Sequence, residues 1–303
     1  MHNKILILFF IVALYSCSGN SVQQQPAAAD NSLSHQLDSI IKQRSAAIGV
    51  AIIGLEDKDS LFINGDKAYT IMSVVKFPQA LAVLHKVATK ELSLDQQLHF
   101  TKAELNASGY SPLKDSFPDG NINRSLEAVL KLAVSSSDNA ACDKLFDLLG
   151  GPAAVETYLH QLGATAIGIG TTYARMKNDS VFLNHSTPRA MARLLQDFYL
   201  GNVLAAPQRD RLLDMMTNTS NDPKRIKGML PETAVVAHKT GTSGTDSNQV
   251  TAAFNDAGIV TLPDGRHFVM VVFINNSKES GETNARTIAE ISRAAWDYFV
   301  RKN

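Results

Sequence analysis

The sequence predicts an α+β fold in which a five-stranded antiparallel sheet with flanking helices is made by both chain ends and carries an inserted all-helical lobe. Three patterns predict it. Runs rich in β-branched residues sit near both ends, apolar residues from Ser73 to about Gly201 recur at helical spacing, and an amphipathic helical pattern stands at each end of the folding part.

In chain order, Leu33, Leu37, Ile40 and Ile41 repeat at helical spacing, so a helix is expected over Leu33–Arg44. Ile48–Ile53 reads as a buried strand, and Asp57-Lys58-Asp59 turns it onto Ser60–Ile63 as a hairpin. Helices are expected over Val74–Thr89, Ser125–Ser135, Asn139–Leu149, Pro152–Leu162 and Pro188–Leu200, the last opened by Thr187 as N-cap and Pro188 in the first turn. Strands return at Ala234–His238, Gln249–Leu262 and His267–Ile274, with Pro263-Asp264-Gly265 turning the second into the third. A helix over Asn284–Val300 closes the chain. This order divides residues 32–303 into an α/β lobe, 32–72 with 212–303, and a helical lobe, 73–211. A cleft between the lobes is where a site is expected.

The 303 residues carry 29 Lys+Arg against 29 Asp+Glu, which leaves no bulk charge to attract a nucleic acid or an anionic surface. The histidines form no His-x-x-x-His pair and the two cysteines stand far apart, so neither a metal site nor a cofactor is expected. Gly168-Ile169-Gly170 lacks the third glycine of a phosphate loop, and Lys239-Thr240-Gly241 has no glycine cradle before it.

Residues 1–17 read as an export leader, with Lys4 ahead of an apolar run, Ile5–Leu14, that is far shorter than the roughly 20 residues a spanning helix needs. Leu14-Tyr15-Ser16-Cys17 resembles a bacterial lipobox, which implies cleavage before Cys17 and lipid attachment to it; the alternative is an ordinary secretory signal with an incidental cysteine. Residues 18–31, rich in Ser, Gln and Ala, then make a flexible tether. A periplasmic, lipid-anchored monomer is expected, touching the membrane through that lipid alone. Cys142 follows Ala140-Ala141 in a helical pattern and reads as a small buried apolar residue.

The chemistry gathers at Ser73-Val74-Val75-Lys76, where a polar turn meets the apolar run Ala80–Leu84. In a helix these two side chains share one face of the first turn, and a lysine kept neutral by burial or by a neighbouring cation can take the serine's proton. Ser39/Lys42 and Ser111/Lys114 have the same spacing, so the pair by itself decides nothing. Further on stand Ser137-Asp138-Asn139 at a helix junction and Lys239-Thr240-Gly241 at the end of a strand. Ser-x-x-Lys, Ser-Asp-Asn and Lys-Thr-Gly, in that order on separate elements, are the motif set of class A β-lactamases and penicillin-binding proteins.

On these motifs the chain resembles the class A serine β-lactamases, and with them their β-lactamase/transpeptidase-like fold. The resemblance extends through Tyr110-Ser111-Pro112, Gly150-Gly151-Pro152, and Arg225 with Leu230-Pro231. Val236–Gly244 and Phe254–Val260 look most like the extended-spectrum branch. The resemblance implies a β-lactam substrate and a role for each residue. Ser73 attacks the lactam carbonyl while Lys76 accepts its proton, and Ser137, assisted by Lys239, protonates the leaving nitrogen. Asn139 and Tyr110 contact the substrate, the backbone N–H groups of Ser73 and Thr242 form the oxyanion hole, and Thr240, Thr242 and Arg225 receive the substrate carboxylate. Tyr110 also reads as cleft-wall packing, and Arg225 as a brace of its own loop with Lys227 taking the anion. Asp138 reads as a loop brace and His238 as structural.

One position departs from the family pattern. A glutamate in the loop after the Gly-Gly-Pro helix positions the deacylating water in the family, and counting without gaps puts Tyr173 there. No Glu lies between Glu156 and Glu232; the nearest acid along the loop is Asp179. Three readings follow: a serine β-lactamase with slow or altered deacylation, served by Asp179, Lys76 or a tyrosine-oriented water; a penicillin-binding or peptidoglycan acyl-transfer enzyme; and a β-lactam sensor that stays acylated.

Overall fold

The computed structural model describes residues 31–179, 182–220 and 222–302. The leader with Cys17, the tether up to Asp30 and the side chain of Asp179 lie outside the described residues.

Helix α1 (Asn31–Ile41) leads into the hairpin of β1 (Ala47–Gly54) and β2 (Ser60–Ile63). A short strand, β3 (Tyr69–Thr70), and a 3₁₀ turn, Met72–Val75, then feed α2 (Lys76–Ala88). The chain continues through β4 (Gln97–Phe100), α3 (Lys102–Ala107), α4 (Pro112–Ser116), β5 (Ile122–Ser125), α5 (Leu126–Ser135), α6 (Asn139–Leu149) and α7 (Pro152–Gln161). Next come β6 (Ile167–Gly168), α8 (Tyr173–Asp179), β7 (His185–Ser186), α9 (Pro188–Tyr199) and α10 (Ala206–Thr217). Strands β8 (Val235–Thr242), β9 (Thr251–Thr261) and β10 (His267–Ser277) precede the closing helix α11 (Gly281–Arg301).

The main sheet has five strands in the order β2-β1-β10-β9-β8, antiparallel throughout, so the two chain ends meet at its centre with Val50 opposite Val272. Both of its faces are buried. In β10, Phe268, Met270, Val272 and Ile274 join Leu37, Ile288 and Trp296 of the terminal helices, whereas Val269, Val271 and Phe273 join Leu81, Leu84 and Phe198 of the helical side. Successive strand residues alternate faces, so burial on both sides makes the strand read as a continuous apolar run.

Local chemistry sets the helix ends. Thr187 Oγ1 accepts the Ala190 N–H at 3.1 Å with Pro188 in the first turn of α9, and Gly150 ends α6 in the left-handed region at φ 90°. Helix α2 is buried on all sides from Lys76 to Leu84 and is the axis of the helical lobe. The sequence pattern gives no sign of α10, because only Leu212, Met215 and Met216 of its residues are buried. That helix packs on both α5 and β8, so position 211/212 falls inside an element that touches both lobes.

Candidate active site

Ser73 does not sit in an α-helical first turn. Its turn is 3₁₀, with the Val74 N–H donating to Ile71 O at 3.1 Å, and α2 begins only at Lys76. Three residues per turn bring positions i and i+3 into line, so Lys76 stands directly beneath Ser73. Strand β8 closes tightly against this turn: a Cβ on Gly241 would stand 2.3 Å from Ile71 O and 3.1 Å from Ser73 N. Met72, just ahead, is held at φ 47°, and Ser137 at φ 55°, both in the left-handed region.

Lys76 is fully buried, with Nζ 2.7 Å from Ser137 O and from Asn139 Oδ1, 3.2 Å from Ser73 Oγ and 3.3 Å from Ser137 Oγ. Lys239, buried on β8, donates to Ser137 Oγ and to Thr240 O, each at 3.0 Å. Burial pushes the Lys76 amine down to about 8. Burial, and then the charge of Lys76, push Lys239 well below its usual value. Two amines, both held below the ordinary lysine value, flank the Ser137 hydroxyl, and Lys76 joins it to Ser73.

The remaining motif residues divide between holding the site and facing the cleft. Asp138 is buried and accepts from Ser111 Oγ at 2.8 Å, Leu113 N at 2.7 Å and Ala141 N at 2.9 Å, which ties three segments together. Asn139 donates one amide hydrogen to Ser108 O at 3.0 Å, leaving the other for the cleft. Tyr110 stands on the rim, 60% exposed, while its carbonyl accepts the Asn139 N–H at 3.0 Å. His238 lies 2.9 Å from both carboxylate oxygens of Asp256 beneath the sheet, away from the reacting groups.

The cleft is about 540 Å³ and is lined by Ser73, Tyr110, Ser137, Asn139, Tyr173, Arg225, Thr240 and Thr242, with Lys76 and Lys239 buried behind it. Strand β8 is an edge strand of the sheet. The Ser243 N–H donates into the sheet, to Ala253 O at 2.9 Å, so by strand alternation the Thr242 N–H points off that edge. Arg225 is buried across the face of Phe254, pairs with Asp222 at 2.9 Å, and donates to Asn255 O at 2.7 Å and Thr242 Oγ1 at 2.6 Å. Lys227 is exposed and does not line the cleft.

Tyr173 completes the floor. Its hydroxyl is 2.9 Å from Ser73 Oγ, its ring centroid 4.4 Å from Lys76 Nζ, and burial pushes its phenol well above the usual range. Asp143, which the sequence reading passed over, accepts the N–H groups of Tyr173 and Ala174, each at 2.7 Å, and so caps α8 from α6. Asn184 Oδ1 accepts from Gly170 N at 2.9 Å and Thr171 N at 3.0 Å, and Glu156 takes Ile169 N at 2.6 Å. The signal for Asp143 was its place four residues after Asn139, on the same helix face.

Comparison with known proteins places this arrangement in context. Residues 32–299 match the family described as "Beta-lactamase enzyme family". The chain is 37% identical to β-lactamase VEB-1 of Pseudomonas aeruginosa over 98% of its length and 97% of the relative's. It is 35% identical to the extended-spectrum β-lactamase PER-1 of the same organism, over 89% and 88%. Among solved structures it resembles a β-lactamase from Chitinophaga pinensis at 42% identity and a TM-score of 0.85, covering 88% of this chain and 99% of that one. The TLA-1 extended-spectrum β-lactamase matches at 41% and 0.86, covering 89% and 98%.

Proposed function

As the chain belongs to the β-lactamase enzyme family, within its class A serine branch, we propose that it hydrolyses β-lactam antibiotics through an acyl-enzyme on Ser73. One observation carries this reading: a buried Lys76 amine, its pKa pushed down to about 8, 3.2 Å from Ser73 Oγ, with Ser137 Oγ linking it to Lys239. Ser73 attacks the lactam carbonyl as Lys76 takes its proton, and Ser137 returns a proton to the leaving nitrogen. The N–H groups of Ser73 and Thr242 hold the developing oxyanion, while Thr240, Thr242 and Arg225 receive the substrate carboxylate. Asn139 and Tyr110 flank the acyl side chain.

Deacylation is slow in this proposal. Among the described residues the titratable side chains bonded to Ser73 Oγ are Lys76 and Tyr173, and the carboxylate that holds the Tyr173 backbone, Asp143 of α6, is occupied by Ser108 Oγ and two backbone N–H groups. The test is intact-protein mass against time after mixing with a penicillin and a cephalosporin. A Ser73 adduct that decays while hydrolysed drug accumulates supports the proposal. Labelling that survives Ser73→Ala rejects it.

Export with lipid attachment at Cys17 is proposed from the sequence. The mass of the mature N-terminus tests it, and an unmodified N-terminus lacking Cys17 rejects it.

A further inference from the structure

A proton inventory around Ser73 Oγ gives Tyr173 a role. A neutral lysine amine has two N–H donors and one lone pair. Ser137 O and Asn139 Oδ1, both at 2.7 Å, are acceptors that take both donors of Lys76. Two hydroxyls stand within reach of its lone pair, Ser73 Oγ at 3.2 Å and Ser137 Oγ at 3.3 Å, and in the form that activates the nucleophile it is the Ser73 O–H that donates to Lys76. With its one proton so committed, Ser73 Oγ can only accept in its 2.9 Å contact with Tyr173, whose O–H must be the donor.

The fold holds that donor in place. The Tyr173 side chain is buried, its ring lies against Lys76 Nζ, and Asp143 grips its backbone N–H. Because burial keeps the phenol protonated, Tyr173 is a permanent donor and cannot take a proton from water near neutral pH. We infer that Tyr173 is a catalytic residue, whose O–H stabilises the negative charge on Ser73 Oγ when that oxygen attacks and again when it leaves. The inference rests on acylation at Ser73, proposed above.

The two steps balance with the Tyr173 proton staying on Tyr173. In the first, the Oγ–carbonyl bond forms, the serine proton passes to Lys76, the lactam C–N bond breaks, and its nitrogen takes a proton from Ser137, which Lys76 restores. In the second, water attacks the ester carbonyl and gives its proton to Lys76, the Oγ–carbonyl bond breaks, and Lys76 returns the proton to Oγ. The oxyanion hole addresses the carbonyl oxygen; Tyr173 addresses the other oxygen whose charge changes.

The test is Tyr173→Phe, which keeps the ring over Lys76 and removes only the hydroxyl. Acylation by a penicillin, followed by intact mass, is expected to slow roughly 100-fold, the size of losing one preorganised donor, with deacylation slowed as well and the melting temperature unchanged. Acylation within about twofold of the parent overturns the inference. Faster deacylation with unchanged acylation also overturns it, since Tyr173 would then be a plug that excludes water. Site-specific 3-fluorotyrosine at position 173, nearly isosteric and a stronger donor, is expected to speed acylation; an unchanged rate overturns the inference even if Tyr173→Phe folds poorly. A parent protein that a penicillin never labels at Ser73 removes the acyl-enzyme reading itself, whereas a labelled parent matched by Tyr173→Phe removes only the role given to Tyr173.

Discussion

Asp143, on α6, accepts the backbone N–H of Tyr173 at 2.7 Å across thirty positions of sequence. Its other oxygen takes Ala174 N and Ser108 Oγ, also at 2.7 Å, so a single carboxylate fixes the start of α8 and the wall beside it. A helix normally finds its cap just ahead of its own first turn. Here the cap comes from another helix, and it fixes the backbone that brings the Tyr173 hydroxyl to Ser73 Oγ.

Replacing Asp143 with Ala removes that cap and leaves two backbone donors unpaired. The unfolding free energy is expected to fall by about 2–3 kcal/mol, as for loss of a cap together with bonds to a charged acceptor. Urea unfolding measures it, and a change below about 0.5 kcal/mol would show that the loop is held by Asn184 and Glu156 alone.

The depressed amine of Lys76 sets a pH dependence for acylation. The neutral form is the base, so the rate constant should rise about tenfold per pH unit below a midpoint near 8 and level off above it. Stopped-flow acylation across that range checks this, and a flat profile removes Lys76 as the proton acceptor. The same shift bears on stability. The unfolded chain holds the proton up to about 10.5 and the folded chain only to about 8, so burying this amine destabilises the fold in full below about 8, and the penalty is relieved as pH rises towards 10.5.

Gly241→Ala would press a methyl carbon 2.3 Å from Ile71 O and 3.1 Å from Ser73 N. Both are backbone atoms, so either β8 or the Ser73 turn must move. Acylation is expected to fall by roughly 100-fold, the cost of misplacing reacting groups by about an ångström. A crystal structure of the variant with an undisturbed turn and a normal rate would refute this.

Arg225→Ala separates two roles for one buried side chain. Loss of its bonds to Asn255 O and Thr242 Oγ1 is expected to lower stability by about 1–3 kcal/mol. If Arg225 also receives the substrate carboxylate, KM should rise about tenfold for penicillins at little change in kcat. Lower stability with unchanged KM leaves bracing as its only role.

The motif residues and the main elements were legible because their signals are local. Continuous apolar runs mark β1 and β10, helical spacing marks α6 and α9, and Ser-Asp-Asn and Lys-Thr-Gly can be read wherever their elements go. Helix α10 was not, since three buried residues in twelve make no stripe. Nor were α3, α4 and the paired strands β3, β6 and β7, which are too short for a period to show.

The sequence by itself determined the family, through the motifs that hold Ser73, Lys76, Ser137 and Lys239, and the absence of a glutamate between Glu156 and Glu232. Tertiary structure alone decided that the Ser73 turn is 3₁₀, that Gly241 lies against it, and that the Tyr173 hydroxyl meets Ser73 Oγ. The reason is physical. Helical and 3₁₀ turns differ little in local preference, so packing from β8 selects between them. Where a loop side chain lands depends on bonds to partners far along the chain, such as Asp143 and Asn184, and residue spacing does not encode those bonds.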